Sequence, residues 1–210
     1  MTYTIPNILT LVRIGLIPVF VIVYWLPYAW APIWAAWIFI VAGITDWLDG
    51  FLARRLEQSS SFGAFLDPVA DKLIVATALV LLVNDPKVQA SVFHSGLFAV
   101  TAAVIIGREI TVSALREWMA ELGARASVAV SLIGKVKTFL QIVAITMLVY
   151  KYDLMGLPMI IVGEWLLYLA GALTLWSMGM YLRAAWPALS GRGEGAQHAS
   201  QSDLTGPGRD

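Results

Sequence analysis

Six long apolar stretches recur along the chain, separated by short polar links. They are Ile5–Leu26, Ile33–Leu52, Phe65–Val83, Val92–Leu115, Ser127–Tyr150 and Met159–Leu182. Each is close to the roughly 20 apolar residues that a helix needs to cross a bilayer. They are apolar nearly all round, so the pattern predicts an all-α integral membrane bundle of six transmembrane helices. The pattern breaks after Trp186. Residues 187–210 are rich in Gly, Ser, Gln and charge and read as a disordered tail, which leaves 1–186 as one membrane domain without internal repeats.

The links set the expected orientation. Arg54 and Arg55 follow the second stretch, Arg116 and Arg125 the fourth, and Arg183, Arg192 and Arg209 the sixth. The opposite side has only Lys87 and Lys151 in its links. Basic residues are retained on the cytoplasmic side, so both termini are expected there. Trp25, Tyr28, Trp30 and Trp34 then fall at the outer interface, where amphipathic rings settle. The first stretch lacks the basic start and small-residue cleavage site of a signal peptide and reads as a retained span.

Composition narrows the class. The chain is 59% hydrophobic and 13% charged, with a net charge of zero, no cysteine and a mean hydropathy of +0.76. Soluble domains carry about 25% charged residues. No basic run points to nucleic acid, and disulfide or thiol chemistry is excluded.

The polar residues that interrupt the second and third stretches carry the chemistry. The segment DWLDGFLARRLEQSSSFGAFLDPVADK holds Asp46, Asp49, Asp67 and Asp71. An ionised Asp toward the centre of a membrane helix costs several kcal/mol. Asp46 and Asp49 are three apart and Asp67 and Asp71 four apart, so each pair shares a helix face. From Trp34 to Asp46 is about 18 Å along a helix, which brings the acids to the inner leaflet. Two facing pairs would suit two divalent cations. Oxygen ligands without His or Cys favour Mg²⁺ or Mn²⁺. Gly50 and Ala53 leave room for close approach, and Arg54 supplies a guanidinium for phosphate oxygens. Together these residues suit a diphosphate ester. A divalent-cation transporter is the alternative of another class, but it would need acids along several spans toward both faces.

Other polar positions sit on the remaining stretches. Asn7, Thr10 and Arg13 recur every three residues and form a polar stripe on the first; snorkelling of Arg13 is the plainer account of it. Arg108 lies about 24 Å down a helix that starts at Val92, and Lys135 about 12 Å inside one that starts at Ser127. A lysine at that depth needs a wet cavity or an anion. Arg108 and Lys135, with Arg13, are candidates to bind a second phosphate. A salt bridge to Glu109 is the plainer role for Arg108. Lys137, two residues beyond Lys135, points elsewhere and ranks behind it. His94 and His198 are given no role. No residue offers itself as a covalent nucleophile, which favours direct transfer.

The order D-x2-D-G-x2-A-R-x8-G-x3-D-x3-D, met here by Asp46, Asp49, Gly50, Ala53, Arg54, Gly63, Asp67 and Asp71, resembles the signature of the CDP-alcohol phosphatidyltransferases. The resemblance implies attack of an alcohol on the lipid-side phosphorus of CDP-diacylglycerol, with loss of CMP. It implies two metal ions held by Asp46, Asp49 and Asp67, with Asp71 as general base and sharing one ion. It implies that Asn7, Gly50, Ala53, Arg54, Ser60 and Gly63 line the CDP-diacylglycerol site, that the enzyme is a homodimer, and that it works in the bacterial inner membrane. The segments PNILTLVR, REITVSALREWMAELG and GKVKT are similar to the bacterial branch whose acceptor is glycerol 3-phosphate and whose product is phosphatidylglycerophosphate. A phosphorylated inositol is the second candidate acceptor; serine and choline fit the deep cations less well.

Overall fold

A computed structural model describes residues 5–56, 61–121 and 132–189, with side chains described for most of these. It is all-helical there. The helices are α1 (Ile5–Trp25), α2 (Ala31–Leu56), α3 (Ser61–Val83), α4 (Pro86–Ser91), α5 (Ser95–Glu121), α6 (Leu132–Tyr150) and α7 (Met159–Leu189). The six long helices correspond to the six apolar stretches. Three of them, over Ile8–Trp25, Ser95–Met119 and Met159–Arg183, are long and apolar enough by themselves to cross a membrane, and Ala31–Thr45 and Val136–Tyr150 are shorter apolar helices. Large apolar side chains face outward on every long helix, among them Ile22, Val41, Val80, Val100, Phe139 and Trp176. A bilayer supplies the apolar surroundings that such a surface requires.

Several boundaries differ from the sequence reading: α2 runs on to Leu56, α3 begins at Ser61 and α5 ends at Glu121. The fourth stretch was expected from Val92, but α5 starts at Ser95, because the short helix α4 precedes it. Asp85 caps α4: it accepts hydrogen bonds from the Lys87 and Val88 amides at 2.9 and 3.1 Å, and proline follows at the first helical turn. At the other end of the chain, α7 continues to Leu189, past the expected end at Leu182.

The helices close a ring, each packed on the next in the order α1, α2, α6, α7, α5, α3 and back to α1, with α3 also touching α2 and α6. Phe20, Phe39, Leu79, Phe98, Ile105, Ile145, Leu148 and Leu167 fill one continuous core. Gly163 allows the α6–α7 contact: a Cβ there would meet the Ala144 carbonyl oxygen at 3.0 Å.

The end away from the 57–60 link is tied by polar side chains. Asp85 accepts from the Tyr24 hydroxyl at 2.8 Å and from the Lys151 ammonium, which also lies over the Tyr24 ring. Burial favours the neutral Asp85 carboxyl, but the bonds from Lys151, the Val88 amide and Tyr24 outweigh it and hold the group below the usual carboxylate range. Buried Glu164 accepts from the Phe93 amide at 2.9 Å and from Tyr168 at 2.6 Å, joining α7 to the start of α5. The Tyr152 hydroxyl donates to the Ala29 carbonyl at 2.7 Å. Aromatic side chains ring this end, with Trp25, Tyr28, Trp30, Trp34 and Trp37 all exposed. His94, given no role above, caps α5: its Nδ1 accepts from the Leu97 amide at 3.1 Å.

Candidate active site

The four aspartates lie on two consecutive helices joined by only four residues, 57–60. Asp46 is ten residues before the end of α2 and Asp71 ten residues after the start of α3 (56 − 46 and 71 − 61). Asp49 and Asp67 are seven and six residues from the same ends (56 − 49 and 67 − 61). At 1.5 Å per residue the outer pair lies about 15 Å from the link and the inner pair about 10 Å. The contact between α2 and α3 therefore brings the two acidic pairs to matching heights. Asp71 is exposed, although Ala70 and Ile74 beside it on α3 are buried. The side chains of Asp46, Asp49 and Asp67 lie outside the described ones. Among the described residues no three acidic or histidine side chains gather as metal ligands.

Behind this acidic end stands a set of buried cations. Arg13, Arg108 and Lys137 are all buried; Arg13 and Lys137 lie in the first halves of α1 and α6, and Arg108 at the middle of α5. Among the described residues the buried acids are Asp85 and Glu164, which belong to the opposite end. Each of them serves a cap or an interhelical bond there.

Arg108 donates to Ser177 on α7 at 2.9 Å and to Glu109 at 3.2 Å, and lies 5.7 Å from the Tyr181 ring. Lys137 on α6 donates to the same Glu109 oxygen. Arg108 and Asp71 are both near enough for their charges to act on Lys137. Residues of α3, α5, α6 and α7 thus meet at one place. Burial strengthens the field there, because charges in a low-dielectric interior are poorly screened. The arrangement can bind an anion against Arg108 and Lys137, with a carboxylate, Asp71, at its edge.

These placements sort the sequence candidates. Arg108 makes its expected bridge to Glu109, yet it is buried and aimed at α7. Arg13 is fully buried beside Thr10 on the inward stripe of α1, which removes the snorkelling account. Lys137, ranked behind Lys135, is the lysine found at the site. The side chains of Asn7, Gly50, Ala53, Arg54, Gly63 and Lys135 lie outside the described ones, and Ser60 lies outside the described residues. Sequence reading also missed Ser177 and Tyr181. Nothing along the last stretch marks Ser177 out, and only the α5–α7 contact brings Arg108 to it.

Residues 3–176 match the family model described as CDP-alcohol phosphatidyltransferase. A protein of Salmonella typhimurium named CDP-diacylglycerol–glycerol-3-phosphate 3-phosphatidyltransferase is 54% identical over 185 residues, 88% of this chain and 96% of its own length. Proteins of the same name from Shigella flexneri and Pectobacterium atrosepticum are 54% and 52% identical over the same shares.

Proposed function

This chain belongs to the CDP-alcohol phosphatidyltransferase family, and from that membership we propose that it moves the phosphatidyl group of CDP-diacylglycerol to glycerol 3-phosphate, giving phosphatidylglycerophosphate and CMP. The acceptor is supported by the names of its relatives. The observation that carries it is the buried pair Arg108 and Lys137 beside Asp71. A neutral alcohol needs no such pair, whereas a phosphomonoester neutralises it.

Four aspartates at matching heights on α2 and α3, all hard oxygen donors, fit a pair of Mg²⁺ or Mn²⁺ ions. Asp46, Asp49 and Asp67 would hold them, with Asp71 sharing one. When bound, the ions neutralise the diphosphate and stabilise the departing CMP. Gly50, Ala53, Arg54, Ser60 and Gly63 line the nucleotide lipid, with Asn7 at its edge. Arg108 and Lys137 hold the acceptor phosphate, with Arg13 and Lys135 completing that side. Asp71 takes the proton of the attacking hydroxyl, which bonds to the lipid-side phosphorus as the bond to the CMP oxygen breaks and its electron pair leaves with CMP. Orientation and charge neutralisation supply most of the rate. All six long helices span the inner membrane, with both termini and the site on the cytoplasmic face, and the working unit is a homodimer.

The test uses purified protein with CDP-diacylglycerol and radiolabelled glycerol 3-phosphate. Label enters lipid as CMP is released in equal amount, and EDTA stops both. Phosphoinositol or serine in place of glycerol 3-phosphate gives little product; efficient use of either would replace the acceptor assignment. Asp71→Asn is expected to lower kcat about 100-fold or more, the scale of lost general-base catalysis, while CDP-diacylglycerol binding persists. Near-normal turnover would remove Asp71 from the base role.

A further inference from the structure

Glu109 has no part in the reaction as proposed, yet its carboxylate sits on both acceptor-side cations. One oxygen, Oε1, accepts from Arg108 at 3.2 Å and from Lys137. The cations are buried, with side chains 6% and 1% exposed, whereas that of Glu109 is 24% exposed. The acid is therefore the outermost member of the cluster. An anionic oxygen between a guanidinium and an ammonium occupies the place a phosphate oxygen would take. Arg108 and Lys137 are close enough to repel each other, so an anion is needed to keep them together. Glu109 also lines a cavity of about 200 Å³ between α3 and α5, along with Val69, Lys72, Leu73 and Ile110. Among the described residues the cavity wall is otherwise apolar, and Lys72 is the one cation lining it, so a carboxylate that turns away from Lys137 has room and a second ammonium to turn toward.

We propose that Glu109 is an internal stand-in for the acceptor's phosphate: it keeps Arg108 and Lys137 in register and gives way when a phosphomonoester binds. This rests on the acceptor site proposed above. A phosphomonoester dianion carries more charge than a carboxylate and replaces it on the two cations. A neutral hydroxyl compound does not. Glu109 thereby raises the threshold for binding and selects phosphorylated alcohols, as a positioning residue that never touches the reacting atoms.

Glu109→Gln keeps an oxygen for Lys137 and removes the competing charge. The expected result is a KM for glycerol 3-phosphate about fivefold lower, the lower end of the coupling between linked sites, with the KM for CDP-diacylglycerol unchanged. Inorganic phosphate, competing with the acceptor, inhibits this variant at correspondingly lower concentration. A purely structural Glu109 gives the reverse: the acceptor KM rises, or both KM values move together. Either result overturns the proposal. Should the variant be too unstable to assay, its thermal midpoint with and without inorganic phosphate decides. Phosphate raises the midpoint more in the variant than in the unaltered protein, and an equal rise overturns the proposal. Lys137→Met separates the two readings. It raises the acceptor KM about tenfold or more if the acceptor site is right, the scale of one lost charge-assisted hydrogen bond. If neither Lys137→Met nor Arg108→Gln changes that KM, the acceptor site lies elsewhere and the Glu109 role falls with it. If Lys137→Met raises it and Glu109→Gln does not lower it, only the Glu109 role falls.

Discussion

Arg108 shows what single residues settle here. Its charge and its depth in an apolar run were visible in the sequence, because a guanidinium in a membrane helix is conspicuous. Its partner was not, because Ser177 lies 69 positions away on another helix. Removing that partner leaves a buried charged donor without an acceptor. Ser177→Ala is expected to cost about 1–3 kcal/mol of stability, and to raise the KM for glycerol 3-phosphate while sparing the KM for CDP-diacylglycerol. Denaturation midpoints and steady-state kinetics on the same preparation check both. The choice between Lys135 and Lys137 was harder. The fifth stretch is largely apolar around these lysines, so its sequence gives no reference face from which to count. The neighbours of α6, which are α2, α3 and α7, set that face and bury Lys137.

At the scale of elements, the end away from the aspartates is fixed by pairs that no local pattern announces. Asp85 is a helix cap by sequence logic, preceding Pro86 as it does. Its bonds to Tyr24 on α1 and to Lys151 after α6 make it the junction of three parts of the chain. Truncating one partner of a buried pair costs about 3–5 kcal/mol, so Asp85→Ala is expected to lower the thermal midpoint sharply. The same pair predicts a pH dependence. The folded carboxyl titrates below the unfolded one, so between the two values the unfolded chain binds the extra proton, and stability rises with pH. The contribution is complete above the ordinary Asp value of about 3.9 and is lost as pH falls through the lower folded value. Asp85→Asn should flatten this acid limb of the stability profile. The glycines of α7 divide similarly. A Cβ at Gly163 would crowd Ala144, Leu148 and Met147, and one at Gly171 would meet Thr101 at 2.9 Å, whereas one at Gly179 would meet nothing within 4 Å. Gly163→Leu is therefore expected to destabilise by about 1–3 kcal/mol through overpacking. Gly179→Ala should be neutral or stabilising by up to about 1 kcal/mol through helix propensity. Thermal unfolding of both variants separates contact glycines from incidental ones.

The whole molecule is a closed ring of helices with contrasting ends. One end holds the aspartates, with the buried cations between it and the middle of the bundle; the other holds the caps, the aromatic ring and buried Asp85 and Glu164. This polarity matches the uneven distribution of Lys and Arg between the links and supports a cytoplasmic site. The chain has no cysteine, so single cysteines can report topology directly. Met155 is 97% exposed in the link between α6 and α7. In intact cells, Met155→Cys is expected to react with a membrane-impermeant maleimide, and Ser200→Cys only after the membrane is opened. The opposite pattern would invert the orientation.

The sequence by itself determined the class and the chemistry. Hydrophobic stretches of bilayer length dictate membrane helices whatever their neighbours, and four acids at fixed spacing with an Arg among them define a local donor set. Both are short-range properties, legible along one strand of text. The fold alone settled which cations meet, that Lys137 is buried, that Ser177 receives Arg108, and that Glu109 bridges Arg108 and Lys137. Those contacts join helices that are distant in the chain. They depend on the rotation of each helix about its axis, and a nearly uniform apolar surface leaves that rotation unspecified until the ring closes.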